Sequence, residues 1–170
     1  STSDAHYLCL NSTIDSEDFH RLYEKAHNNS VTLNDVFLSA YARVIARRQH
    51  TDIVVLPCPA DLRRFSKTND KLTIANMTGT YQRVTIEIPR HHTFDQTVSQ
   101  IHIEMQLQKS HYRCFYGIRA LTITLHKIPR PLLKKILHLF YQLSPVSYTN
   151  LGAIDDKQLS FKDCQITNCY

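Results

Sequence analysis

Two hydrophobic periods alternate along this chain, and their order limits the folds open to it. Stretches with apolar residues at helical spacing are interleaved with shorter ones that are continuously apolar or alternate at period two. Asp15 can cap a helix whose Phe19, Leu22, Tyr23 and Ala26 fall at i, i+3, i+4 and i+7, ended by Asn28-Asn29-Ser30. Thr32 with Asp35 three residues on resembles a capping box, and Leu33, Val36, Phe37, Ala40, Tyr41, Val44 and Ile45 repeat the stripe. Arg43, Arg47 and Arg48 fall near that helix's outer face or C-terminal end, where positive charge complements the dipole. The run Ile53 to Leu56, stopped by Pro57 and Pro59, predicts a short strand covered on both faces. From Tyr81 to Ile88 the pattern alternates, with Val84, Ile86 and Ile88 on one face and Arg83, Thr85 and Glu87 on the other, so a half-exposed strand is expected, closed by Pro89.

A long helix is predicted from Phe94, with Val98, Ile101 and Met105 continuing its buried stripe towards Tyr112 and Phe115. Pro131 suits the first turn of another, with Leu132, Leu133, Ile136, Leu137, Phe140 and Tyr141 on one face and Lys134, Lys135 and His138 on the other. A short apolar run, Tyr7 to Leu10, precedes all of these, and Val146 to Asn150 and Phe161 to Cys169 are the last strand candidates. With no repeat, low-complexity tract or linker, residues 1–170 read as a single unit. Strands mixed with long helices, without a strict βαβ rhythm, predict an α/β fold: a two-layer sandwich with a mixed β-sheet packed against helices.

Composition narrows function. Only 3 of 170 residues are glycine, at positions 79, 117 and 152, and no two stand close enough to form GxG. A P-loop and a dinucleotide-binding fingerprint are thereby excluded, because both bring clustered backbone amides up to phosphate. A formal net charge of +5 attracts phosphorylated ligands or acidic partners but falls short of a nucleic-acid coat, so no nucleic-acid partner is expected. The 5 cysteines are odd in number and contain no CxxC, which predicts free thiols in a reducing, cytoplasmic setting. No apolar stretch approaches the ~18 residues of a membrane span. The Ser-Thr-Ser start, without methionine, suggests a processed product or a piece of something longer.

The sharpest catalytic pattern is His91-His92-Thr93-Phe94-Asp95, which satisfies HxxxD, the spacing at which an imidazole can take a proton from an acceptor hydroxyl or amine. Gln96 rather than glycine follows the aspartate, however, and Thr93 with Gln96 is a ready capping box that places Asp95 in a first helical turn. The cap reading uses every residue and is preferred. His20, Glu24 and His27 could share one helix face as metal ligands, although an exposed polar face gives the same spacing. Cys58, Cys164 and Cys169 show no neighbour that would lower a thiol pKa. The basic face of the helix from Pro131 could meet a membrane surface or an acidic carrier, and Asp61-Leu62-Arg63-Arg64 could converge on a ligand at a sheet edge or hold its turn by an ion pair.

Taken in order, four segments are more specific than any one. VTLNDVFLSAYARVIARR resembles the "TvNdvllaAla" helix of the chloramphenicol-acetyltransferase-like superfamily, which includes condensation domains, alcohol acetyltransferases and wax ester synthases. PCPADLRRF resembles that group's strand and "pvdLR" turn, NMTGTYQRVTIEI its "N..g" segment and strand, and SPVSYTNLGAID its "vSNlG" strand. The resemblance covers the C-terminal half of the family's domain, so it implies half of a two-lobed acyltransferase domain. Its catalytic HHxxxDG lies in the absent N-terminal half, and His91 falls where the family begins a helix.

The resemblance implies transfer of an acyl group from a coenzyme A or carrier-protein thioester to an alcohol or amine, with no catalytic residue in this chain. Coenzyme A or phosphopantetheine would be a co-substrate, with no tightly bound cofactor and no metal. Arg63, Asn76, Tyr148 and Asn150 are the substrate-binding residues it implies; Asn34, Gly79 and Gly152 match the same motifs, Asn34 as a helix-start residue, and Thr149 stands where the family has serine. Partners would be the N-terminal half of the domain and an acyl-CoA or carrier protein, and the isolated chain is expected to self-associate. A non-catalytic binding or scaffold domain retaining the fold is the alternative, because the histidine loop is missing.

Overall fold

Three helix starts are each set by a side chain that closes back on its own backbone. A computed structural model describes residues 8, 10–65, 78–125, 128–129, 131–135 and 148–150. Helix α1, Ser16–Asn28, begins where the extended Asp15 accepts from the Asp18 N–H at 2.8 Å. It ends through Asn29 and the left-handed Ser30 (φ 55°). Helix α2, Leu33–Gln49, opens with the full capping box: Thr32 Oγ1 accepts from Asp35 N–H at 3.2 Å, and Asp35 Oδ2 accepts from Thr32 N–H at 3.0 Å. Helix α3, Phe94–Ser110, repeats the device with Thr93 and Gln96, at 2.8 and 3.3 Å.

Burial departs from the apolar count on two helices. On α1 only Ala26 is buried, while Phe19 and Tyr23 are 44% and 52% exposed. On α2 the buried line is Asp35, Leu38, Ser39, Ala42, Ile45 and Ala46; of the expected stripe of Leu33, Val36, Phe37, Ala40, Tyr41, Val44 and Ile45 it keeps Ile45 and is otherwise rotated. Small side chains let that backbone face approach its cover, and hydrogen bonds carry Asp35 inside, so hydropathy alone misplaces the face.

Strand β1, Ile53–Asp61, alternates instead of being covered on both faces: Val54, Leu56, Cys58 and Ala60 are buried, whereas Ile53 and Val55 are 55% and 41% exposed. It also runs through both prolines. The Asp52 carbonyl accepts from Ile88 N–H at 2.6 Å, so along an extended strand the even positions face the partner; Pro57 and Pro59 fall on the parity that owes it no donor. Strand β2, Thr78–Glu87, behaves as its alternation predicts, burying Val84 and Ile86 and then Ile88, with Arg83, Thr85 and Glu87 outward. The two strands pair antiparallel, and sheet and helices make an α/β two-layer arrangement.

The described residues group into two compact units. The first takes those up to Val54 together with Ile86–Gln106; α1 packs on α2, and Leu38, Ala42, Ile86 and Ile101 are in its core. Leu38, Ile86 and Ile101 each contribute roughly 1.5–3 kcal/mol by burial, and the single methyl of Ala42 less. The second takes Val55–Thr85 and the described residues from Leu107 onward. It holds the 3₁₀ turns Leu62–Phe65 and Arg113–Phe115 and helix α4, Tyr116–Leu125. Leu56, Cys58, Leu62, Tyr81 and Cys114 are buried there, and Phe65 meets Phe115 and Tyr112 edge-on at 5.2 and 5.7 Å.

The helix expected at Pro131 is present over 131–135, with Leu133 buried and Leu132, Lys134 and Lys135 exposed; its continuation lies outside the described residues. Tyr148–Asn150, expected to end a strand, have no regular secondary structure, and Val146 and Ser147 lie outside the described residues. Leu8 and Leu10 are exposed and outside any strand, and Phe161–Cys169 lies outside the described residues. No helix among the described residues is long and apolar enough to cross a membrane.

Candidate functional site

The most buried charge-bearing group described is Asp35, 1% exposed at the head of α2. One carboxylate oxygen, Oδ2, receives the Thr32 N–H and lies 2.7 Å from Nδ1 of His102 on α3, whose side chain is 26% exposed. A carboxylate only accepts, so Nδ1 carries the hydrogen and Nε2 is the nitrogen left for solvent. The other oxygen, Oδ1, is buried with no hydrogen-bond partner among the described residues. Ser39, fully buried one turn on, donates to the Asp35 carbonyl at 2.6 Å. The pair ties α2 to α3 and orients one imidazole.

Arg43 also faces inward, contrary to the outer-face expectation. Its guanidinium donates to the carbonyls of His92 (3.0 Å) and Thr93 (3.2 Å) and to Thr97 Oγ1 (2.8 Å), gathering the loop that enters α3. Unfilled acceptors at that loop outweigh the repulsion between a cation and the positive end of the helix. The HxxxD residues are not assembled as a catalytic pair. Asp95 is exposed beside Lys25 Nζ at 3.7 Å, and the exposed His91 ring packs edge-on against His92 at 5.0 Å. The capping box accounts for Thr93 and Gln96.

Of the residues implied by resemblance, Arg63 lies in the 3₁₀ turn after β1. Its backbone N–H and guanidinium both reach Asp61 Oδ1, at 3.0 and 3.3 Å, the ion pair that holds the turn. Tyr148 is half-buried and Asn150 exposed in an irregular segment, and Asn76 and Gly152 lie outside the described residues. Gly79 has a clear structural reason: a Cβ there would stand 2.7 Å from Leu62 Cδ2 and 2.8 Å from the Cys114 carbonyl oxygen. Asn34 is half-buried in the first turn of α2.

His20 pairs with Glu24 at 3.2 Å and Tyr23 stacks on His27, so the polar-face reading of that helix holds. Among the described residues no cluster of three or more His, Cys, Asp or Glu is placed to hold a metal ion. Cys58 and Cys114 are free and buried, and desolvation pushes the Cys58 thiol up to about 12, the opposite of an activated nucleophile.

Sequence reasoning did not find the Asp35–His102 pair or the Arg43 clamp. A signal for the first was present: His102 follows Val98 by four residues and so rides beside the buried stripe of α3. Compared with protein-family models, with curated proteins and with solved structures, the chain has no match.

Proposed function

We propose that these residues form the C-terminal lobe of an acyltransferase of the chloramphenicol-acetyltransferase-like kind, moving an acyl group from a coenzyme A or carrier-protein thioester to an alcohol or amine. The observation that carries the reading is the order of the four motifs along the chain. Three have described parts at element ends or tight approaches: Thr32-Leu33-Asn34-Asp35 at the head of α2, Asp61-Leu62-Arg63 closing β1, and Gly79 near the start of β2. In this reading a histidine of the N-terminal half deprotonates the acceptor, which attacks the thioester carbonyl. Arg63, Asn76, Tyr148 and Asn150 line the path of the substrate. The free, buried Cys58 and Cys114 support a reducing, cytoplasmic setting.

The test measures release of free coenzyme A thiol by the 170-residue chain alone and by a protein joining it to an N-terminal half that carries HHxxxDG. The chain alone is expected to be inert and the joined protein active, with turnover unchanged within about twofold by His91→Ala. A loss of a hundredfold or more in that variant, the order expected for a general base, would overturn the assignment. A joined protein that binds thioester without turning it over would establish the scaffold alternative instead.

A further inference from the structure

Within the first unit, α1, the head of α2 and the start of α3 line a half-open cavity of about 150 Å³. Its walls are apolar: Leu22 and Ala26 from α1, Val31 and Val36 around the start of α2, and Phe94 and Val98 from α3. Its rim is polar, with Lys25 and Asn29 on one side and Asp95 and Ser99 on the other. None of the residues assigned to the acyl path lines it, so an occupant of this cavity is independent of the acyltransferase reading.

Size, charge and hydrogen-bonding capacity together define that occupant. An apolar cavity of this volume holds one benzene ring, about six carbon atoms. The rim's charges are already matched, Lys25 Nζ facing Asp95 Oδ1 at 3.7 Å. A charged head group would therefore set itself against one of them. The dipoles also oppose, since the rim joins the C-terminal end of α1 to the N-terminal turn of α3. Two uncharged rim groups are already engaged: Asn29 Nδ2 gives one of its two hydrogens to the Lys25 carbonyl at 2.8 Å, and Ser99 Oγ gives its only one to the Asp95 carbonyl at 3.0 Å. The rim still offers two acceptors, Asn29 Oδ1 and Ser99 Oγ, and the second Asn29 Nδ2 hydrogen; a hydroxyl head can use both kinds, whereas a ketone can use only the hydrogen. We propose that this cavity is a binding site for a small uncharged amphiphile with a hydroxyl head and an apolar tail of up to about six carbons, the class of short alkanols and simple aryl alcohols.

The experiment is an amide NMR titration of the 170-residue chain with the linear series 1-propanol to 1-octanol, with 2-hexanone as the head-group control. Affinity is expected to rise about fourfold per added methylene until the tail fills the cavity, near six carbons, and then to stop rising. The shifted amides are expected at Ala26, Val31 and Val98. 1-Hexanol is expected to bind roughly three- to tenfold tighter than 2-hexanone, the value of one hydrogen bond to an uncharged group. Ala26→Leu, which fills the cavity from α1, should weaken 1-hexanol at least tenfold. Should that variant not fold, Ser99→Ala removes a rim acceptor and should shrink the preference over the ketone. Affinity that keeps climbing through 1-octanol, or shifts centred on the exposed Phe19 and Tyr23 instead of the cavity wall, would overturn the proposal.

Discussion

The two units are held by different kinds of contact. In the first, directional polar ties are prominent: two capping boxes, the Asp35–His102 pair and the three-acceptor clamp of Arg43. In the second, close approaches stand out beside polar ties such as the Arg63–Asp61 ion pair and the Gln108 bond to the Arg83 carbonyl: Gly79 lies against Leu62 and Cys114, Phe65 meets two aromatic rings edge-on, and Cys58 is buried in β1. A polar tie is lost when one partner is removed or changes charge, whereas a close approach fails when volume is added. The first unit should therefore answer to edits of hydrogen-bonding groups, and the second to edits of size.

The strongest way to break that contrast is His102→Ala. It leaves the Asp35 carboxylate buried with the Thr32 N–H as its remaining hydrogen bond and with no imidazole opposite. Removing one partner of a buried pair costs about 3–5 kcal/mol. The partial exposure of His102 places this case near the lower end, about 3 kcal/mol by urea unfolding. His102→Gln keeps a donor within reach and should recover more than half of the loss. If His102→Ala costs less than about 1 kcal/mol, Asp35 is reached by water and the polar tie is not what holds α2 to α3.

For the second unit the matching edit adds a single carbon. In Gly79→Ala the Leu62 methyl can swing aside, but the Cys114 carbonyl belongs to the backbone and cannot do so without moving the 3₁₀ turn. Overpacking of this kind costs about 1–3 kcal/mol. A substitution that leaves the urea midpoint unchanged would mean that the turn yields freely, and the proposed difference between the units would disappear.

What could be read from sequence divides along the same line. The caps Asp15, Thr32 with Asp35, and Thr93 with Gln96 are legible because donor and acceptor lie three residues apart, so spacing alone sets their geometry. The alternation of β2 is legible because period two has one meaning on a pleated strand. The Asp35–His102 pair spans 67 residues and the Arg43 contacts 49 to 54, so the local pattern that sets His102 beside a buried stripe could not name its partner. The run Ile53 to Leu56 misled because continuous hydrophobicity fixes no face, and two prolines read as stops are tolerated where the backbone owes no donor. At the candidate site, the ion pair of Arg63 with Asp61 was legible in the turn itself. The cavity beside α1 was not, since its lining comes from three separated segments whose residues look ordinary in each.

Burial of Cys58 sharpens the comparison through pH. Its thiol is pushed up to about 12 in the folded chain, against 9.0 for an unperturbed group. Below pH 9 it is neutral in both states and has no effect. Between about 9 and 12 the unfolded chain releases the proton while the folded chain keeps it, so stability falls as pH rises through that window. At pH 10 the difference is about 1 kcal/mol. The difference in urea midpoint between the parent and Cys58→Ala, followed from pH 8 to pH 10, isolates this contribution from other titrating groups. A pH-independent difference would mean that Cys58 is open to solvent, and rapid alkylation of the folded chain by iodoacetamide at pH 8 would say the same.

The smallest expected effect lies in the first unit, in the exposed cap of α1. The Asp18 N–H, the largest influence on Asp15, holds its carboxyl below the ordinary value of 3.8. A carboxyl lowered in the folded state stabilises it above its unfolded pKa and loses that contribution as pH falls through the folded value. Asp15→Asn keeps an accepting oxygen at every pH but lacks the charge that favours the helix start. The parent should therefore protect the amides of the first turn of α1 slightly better than Asp15→Asn at pH 6, and that advantage should shrink as pH falls below 3.8. Asp15→Ala, with no acceptor, should fray that turn throughout. Since α1 buries only Ala26, fraying there should leave the urea midpoint almost unmoved. If Asp15→Ala instead lowers the midpoint as much as His102→Ala does, α1 belongs to the cooperative core of the first unit, and the exposure of Phe19 and Tyr23 does not measure how firmly it is held.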